Sequence, residues 1–426
     1  MKRILFFLFA SFCLSACSDK KQAENYPVID VVGCIGKYQK VYCSDLFSSI
    51  ELIPLETRDE CLLDVPGYLF SSGVIMNNDL ILVSYTSNND DKLYSFDRTG
   101  KFLKQIGRRG QGPGEYHSFF SFSFSSDNSS IYLFCANSKI LEFDVNGKFI
   151  HSLTIPKIEG KELGRSSYAG NNLFVGHRQY TGENKYNYCL YDRDGNIAKC
   201  FPNHIFFNRV DKRRSISYDF TLYPVRVDDR MYLKEYVNDT IYCLINSFMQ
   251  PAFVFELGKY HYPKEFLELP TSIPEVLKNV ILTRFLIGTP NYFFYVLSIP
   301  DILPVPKIQP VLMLGSGNYK TRERDVFGIY NIEDNTNILL DINENLLSEK
   351  GIINDMNGGL SFFPRYYAGN NVVVDLWDAE KMKETLTDDY FASKTIKDPD
   401  AHQKLKEILK NLKFDDNPVV VVAKLK

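Results

Sequence analysis

The sequence predicts an all-β fold, a six-bladed β-propeller with short helical insertions, closed by joining its N- and C-terminal strands. Three observations carry this reading. One hairpin phrase recurs at a fixed interval, the composition favours pleated, half-buried surfaces, and the chain ends in a valine-rich strand that needs a partner.

The phrase is Leu93-Tyr94-Ser95-Phe96-Asp97-Arg98-Thr99-Gly100-Lys101-Phe102-Leu103, repeated as Ile140-Leu141-Glu142-Phe143-Asp144-Val145-Asn146-Gly147-Lys148-Phe149-Ile150 and as Cys189-Leu190-Tyr191-Asp192-Arg193-Asp194-Gly195-Asn196-Ile197. In each copy alternating apolar residues run into Asp-x-x-Gly and out into another short strand. The aspartate accepts hydrogen bonds from its own turn, and the glycine supplies the positive φ that closes it. Asp97 and Asp144 are 47 residues apart, Asp144 and Asp192 48, which is the repeat of propeller blades. Degenerate copies continue the series at Thr240–Ile245 with Ala252–Glu256, and at Val326–Asn331 with Ile338–Asp341.

Composition agrees. Phenylalanine (32) and tyrosine (27) dominate the aromatic residues over a single tryptophan, as suits strands. With 45% hydrophobic residues and a net charge of −3, the chain can bury a large core and has no electrostatic reason to seek nucleic acid.

Two stretched intervals hold helix-like material, about 263–280 and 379–412. The second ends in Leu405-Lys406-Glu407-Ile408-Leu409-Lys410-Asn411-Leu412, apolar at every third or fourth place. Pro418 to Leu425 is too short to span a bilayer and too apolar for a tail. Pairing it with Ile50–Leu55 in one composite blade would close the ring and remove its open edges. Five hairpins and this composite make six blades.

The N-terminus reads as an export address. Lys2 and Arg3 precede an apolar run of eleven residues, Ile4 to Leu14, and then Leu14-Ser15-Ala16-Cys17, which resembles a lipobox. This divides the chain into a signal peptide over 1–16, a lipidated N-terminus and tether over 17–44 with lipid on Cys17, and the propeller over 45–426. The implied location is the cell envelope, anchored in a membrane, the outer membrane by the polar residues that follow Cys17. The cysteines left after processing are odd in number and form no CxxC pair, so mostly free, buried thiols are expected.

The stretch Ile106-Gly107-Arg108-Arg109-Gly110-Gln111-Gly112-Pro113-Gly114-Glu115-Tyr116, followed by the Asp144 hairpin, resembles the NHL-type repeat. More closely, it is similar to the six-bladed propeller lipoproteins of Bacteroides-type bacteria. Ile53-Pro54-Leu55-Glu56-Thr57, Asn238-Asp239-Thr240-Ile241-Tyr242, Asn357-Gly358-Gly359 with Phe362-Phe363-Pro364, and Asp415-Asp416-Asn417-Pro418-Val419 share the resemblance. It implies fold and envelope location, and no general activity.

Candidate sites are few. Gly107, Gly110, Gly112 and Gly114 with their two arginines could cradle an anion, but the loop lacks Walker spacing and reads as a linker between blades, with Glu115 free to pair with an arginine. The six histidines are scattered without ligand spacing, so no metal and no cofactor are expected. His177 and Arg178 are the most suggestive pair, and Arg226, Arg365, Tyr366 and Tyr367 flank inner strands lining the axis, where they could grip a glycan or a carboxylate. The expected function is a non-catalytic envelope lipoprotein binding a glycan, peptide or protein. The alternative is a hydrolase or lyase acting on polysaccharide or peptide at the axial pocket.

Overall fold

The computed structural model describes residues 26–63, 73–85, 91–178, 184–205, 207, 224–235, 238–263, 279–300, 302–304, 313–314, 321–322, 325–341 and 351–426. They form a six-bladed propeller. Blade 1 comprises Val74–Met76, Leu80–Tyr85, Lys92–Asp97 and Phe102–Gln105; blade 2, Phe119–Phe124, Ser130–Cys135, Lys139–Asp144 and Phe149–Thr154. Blade 3 is Ser166–Gly170, Leu173–His177, Tyr186–Asp192 and Ile197–Pro202; blade 4, Val225–Val227, Arg230–Lys234, Thr240–Ile245 and Phe248–Glu256. Blade 5 is Leu282–Gly288, Tyr292–Ser298, Asp325–Asn331 and Thr336–Leu339, each blade being given from its inner to its outer strand.

Blade 6 is the composite. Tyr366–Gly369, Val372–Trp377 and Val419–Leu425 come from the C-terminus, and Phe47–Pro54 adds the outer strand. Ile50 lies opposite Ala423 and Leu52 opposite Val421 on one side, while Val374 lies opposite Val422 on the other. Flanked by strands on both edges and packed on both faces, Val419–Leu425 is apolar at nearly every position, as an interior strand must be.

The hairpins close as their residues require. Asp97 Oδ1 accepts from the Thr99 and Lys101 amides at 2.8 and 3.1 Å, and Gly100 takes φ +84°. Asp144 and Asp192 repeat the arrangement. In blade 5, Asn331 Oδ1 takes the aspartate's part, and the positive φ falls one place later than the glycine, on Asn335 at φ +53°, so the drifted turn is a residue longer but uses the same kind of side-chain capping.

The core is a set of layers between neighbouring blades. Ile131, Leu133 and Leu141 of blade 2 meet Leu82 and Leu93 of blade 1, and the largest layer joins blades 4, 5 and 6. That layer includes the helical insertion: Ala379–Thr385, Asp388–Ala392 and Pro399–Asn411 stand between the second and third strands of blade 6. Asp378, Thr387 and Asp398 cap the three helices. Leu405 is fully buried, anchoring the amphipathic face read from sequence. The helix expected at about 263–280 falls mainly outside the described residues.

Two features differ from expectation. The stretch called a tether is, from Tyr26 onward, part of the body: Val28–Asp30 adds a parallel fifth strand to the outer edge of blade 4, opposite Val254–Glu256. Gln39 then bridges to Leu340 and Tyr42 to Ile353, carrying the chain past blade 5 to blade 6. Ile29 and Val31 are wholly buried by this strap. Second, Cys189 and Cys200 form a disulfide across blade 3, whereas five other cysteines among the described residues are free and mostly buried.

Candidate functional site

Antiparallel blades place two kinds of turn on one face of the ring, those joining strands one to two and three to four. We call this the lower face. Near its axis a polar cluster is assembled from four blades.

Arg226, on the inner strand of blade 4, is its centre. One Nη donates to the Ser126 hydroxyl of blade 2 at 2.9 Å, and Nε donates to the Asp228 carbonyl at 3.1 Å. The guanidinium lies 5.4 Å from the ring centre of Tyr168, on the inner strand of blade 3. A bond from blade 4 to blade 2 skips a blade, so it runs across the channel. Tyr367 of blade 6 crosses likewise, its hydroxyl 3.5 Å from Asp228 Oδ1, and the inner strands of blades 4 and 6 touch.

Tyr366 packs among core residues of blades 1 and 2 as well as its own blade. Burial pushes its phenol up to about 12, against the pull of the Arg226 charge. No carboxylate pairs with Arg226 among the described residues, so the guanidinium keeps donors to spare.

The cluster is framed by a repeat that the sequence reading passed over. Tyr168-Ala169-Gly170-Asn171-Asn172 on blade 3 recurs as Tyr367-Ala368-Gly369-Asn370-Asn371 on blade 6, the opposite blade. Both asparagine pairs sit at positive φ, 52° and 59° in the first and 52° and 60° in the second, the two-residue turn that fits strand twist. Asn171, Asn172 and Asn370 are exposed at the rim. The signal was a five-residue identity at unequal spacing, invisible to a search for one fixed interval.

The other candidates lie elsewhere. His177 ends the second strand of blade 3, one layer out from the axis, buried with its ring 5.0 Å from Tyr188. Burial, helped by the nearby Arg165 charge, lowers its imidazole to about 3. Arg178 pairs with Glu159 at 2.5 Å. Arg365 turns back onto its own blade and pairs with buried Asp375 at 2.5 Å. Thus Arg226 and Tyr366 are brought together, while His177, Arg178 and Arg365 are not. Cys17 falls outside the described residues.

The glycine-rich loop joins the outer strand of blade 1 to the inner strand of blade 2. Glu115 occupies the place an anion would take: it binds Arg108 at 2.6 Å and accepts from the Gly112 amide at 2.8 Å. That amide, and then Arg108, hold its carboxyl below the usual range. A Cβ on Gly110 would stand 2.0 Å from Glu115 Oε2, so the glycine makes room for the carboxylate. Among the described residues no three His, Cys, Asp or Glu side chains gather as metal ligands.

Comparison with solved structures finds the same architecture. An inferred exported protein of Bacteroides fragilis superposes with TM-score 0.64 at 16% identity, over 94% of this chain and 99% of that one. A member of the DUF4221 family from Bacteroides vulgatus gives 0.48 at 13%, over 89% and 97%. No curated protein matches. The chain matches, over residues 26–424, the family described as "Domain of unknown function (DUF4934)", and belongs to it.

Proposed function

We propose that this protein is an exported, lipid-anchored component of the cell envelope, in the manner of the Bacteroides lipoproteins it resembles, and that it binds a carboxylate-bearing glycan without transforming it. The observation that carries the binding reading is the Arg226 guanidinium, held across the channel by Ser126 and Tyr168 with no acid among the described residues to neutralise it. A fixed guanidinium is suited to a carboxylate, which it can engage through two parallel hydrogen bonds. The exposed rim asparagines supply amide donors and acceptors of the kind sugar hydroxyls use, which favours a glycan over a peptide. Support for export comes from the lipobox-like Leu14-Ser15-Ala16-Cys17 and from the fold shared with the Bacteroides fragilis protein.

Calorimetric titration of the mature chain with uronate-containing and neutral oligosaccharides tests the site. Acidic oligosaccharides should bind more tightly, and less so as salt rises. Arg226→Gln should weaken acidic binding on the order of tenfold or more in a chain that urea unfolding shows still folded, since a hydrogen bond to a charged group contributes about 1.5–3 kcal/mol. Equal binding of neutral sugars, or an unaffected Arg226→Gln variant, would refute the site. Separately, Cys17→Ala should move the protein to the soluble fraction; retention in membranes would refute the anchor.

A further inference from the structure

The lower-face cluster is a strip running across the axis, with an arm on either side of Arg226. We propose that it takes an internal segment of a linear polysaccharide laid across the ring, one in which each acidic sugar is separated from the next by neutral units. The proposal rests on the carboxylate reading of Arg226 and adds to it the length and charge spacing of the ligand.

The axis is shut where the strip crosses it. Arg226 bonds from blade 4 to blade 2, Tyr367 reaches from blade 6 to blade 4, and the inner strands of blades 4 and 6 touch. These contacts bar a sugar chain from threading end-on through this mouth, so a long ligand must lie over them.

Two matching arms lead away from the centre. The Tyr168 hydroxyl accepts from the Asn172 amide at 3.4 Å, and the Tyr367 hydroxyl accepts in the same way from the Asn371 amide. On blade 3, Tyr168 reaches the Ser126 hydroxyl at 3.3 Å, and a Cβ on Gly170 would stand 3.9 Å from an Arg226 Nη. On blade 6, Tyr367 meets Asp228, whose carbonyl takes Arg226 Nε. The contacts therefore run from one Asn-Asn turn through Arg226 to the other, on opposite blades. A ligand that touches both turns extends to both sides of the sugar whose carboxylate Arg226 holds, so that sugar is internal to a chain.

The charges along the strip set the spacing. Asp127 follows Ser126 in the blade 2 turn, and Asp228 and Asp229 form the blade 4 turn; all three are exposed. The Ser125 hydroxyl, and then the Ser129 amide, hold the Asp127 carboxyl at about 2, so it is charged at neutral pH. One guanidinium among three carboxylates attracts one acidic group and repels a second placed close to it. Neutral neighbours instead offer hydroxyls to the rim amides.

The test is calorimetric titration of the mature chain with glucuronate, with hyaluronan oligosaccharides from disaccharide to decasaccharide, in which glucuronate alternates with a neutral sugar, and with oligogalacturonates of the same lengths. Affinity for the alternating series should rise with length by on the order of tenfold over glucuronate and then level off. Oligogalacturonates should bind several-fold more weakly at equal length, and reducing the terminal sugar of the alternating decasaccharide should change nothing. Asn171→Gly and Asn370→Gly, which keep the positive φ and remove the amide, should each lower the ratio of decasaccharide to glucuronate affinity several-fold in chains that urea unfolding shows folded. The ligand series on the parent chain decides the matter even if these variants do not fold. Glucuronate binding as tightly as the decasaccharide, oligogalacturonates binding as tightly as the alternating series, or loss of binding on reducing the terminal sugar would each overturn the strip. In all three the Arg226 site itself still binds acid, so such a failure is distinct from failure of the carboxylate reading, in which glucuronate and every acidic oligosaccharide bind no better than neutral ones.

Discussion

Arg226 and His177 show how differently two polar residues singled out in one sequence can be used. Arg226 keeps donors free because its partners are a hydroxyl, a carbonyl and a ring face. Tyr168→Leu would remove that face and leave the charge, so glycan affinity should fall less than for Arg226→Gln, by about 0.5–1 kcal/mol if the site is wet; titration of the pair side by side measures the difference. His177 is instead a neutral group held in the core. Its imidazole, usually near 6.5, is lowered to about 3 by burial. The unfolded chain therefore takes up a proton that the folded chain refuses, and stability falls as pH drops below about 6.5, continuing towards pH 3. His177→Gln should flatten that decline in urea unfolding series; parallel declines in variant and parent would remove His177 as its source. Sequence reasoning reached Arg226 because inner strands line the axis. It ranked His177 too high because a histidine at the end of an apolar strand looks the same whether its ring faces solvent or Tyr188.

Among the elements, the joint where the strap, the loop before blade 6, the helical insertion and the C-terminus meet is held by one buried carboxylate. Asp355 accepts from the Ser44 amide at 2.9 Å, from its hydroxyl at 2.6 Å and from Lys397 at 2.8 Å, while Lys426 reaches the Ser44 carbonyl at 2.6 Å. Burial alone would push the Asp355 carboxyl up, but Lys397 and Ser44 outweigh it and hold it below the usual range. Its contribution is thus present above the ordinary carboxylate pKa and is lost as pH falls through the lowered value. Asp355→Asn should cost on the order of 2 kcal/mol in urea unfolding at neutral pH, with the gap to the parent closing in acid. A gap that persists undiminished in acid would show that shape, and not charge, is what the site supplies. The blades were legible because Asp-x-x-Gly turns are local chemistry. This joint was not, since Ser44 and Asp355 are 311 residues apart. The Cys189–Cys200 disulfide lay between these cases: the two residues flank the Asp192 hairpin and are opposite in its register, which strand counting outward from the turn would have found.

For the molecule as a whole, closure is a double fastening. The outer strand Phe47–Pro54 completes blade 6, which the alternation near the N-terminus and the valine run at the C-terminus had announced. The strap adds a second fastening that had no sequence signature, because three residues are too few to show a period and their partners lie 226 residues away. It also covers the outer edge of blade 4, an unpaired row of amides and carbonyls that would otherwise be free to pair with another chain. A chain beginning at Asp45 keeps every strand of the six blades but loses this cover, so it should unfold at lower urea than one beginning at Tyr26 and should associate as concentration rises in light scattering. Truncation also removes ordering entropy, so the point variant is the cleaner measure: Ile29→Ala, at a wholly buried position, should cost about 2–5 kcal/mol in the full mature chain. If Ile29→Ala left stability unchanged and the shorter chain stayed monomeric, the strap would be packing without consequence, and the ring would depend on the blade 6 closure alone.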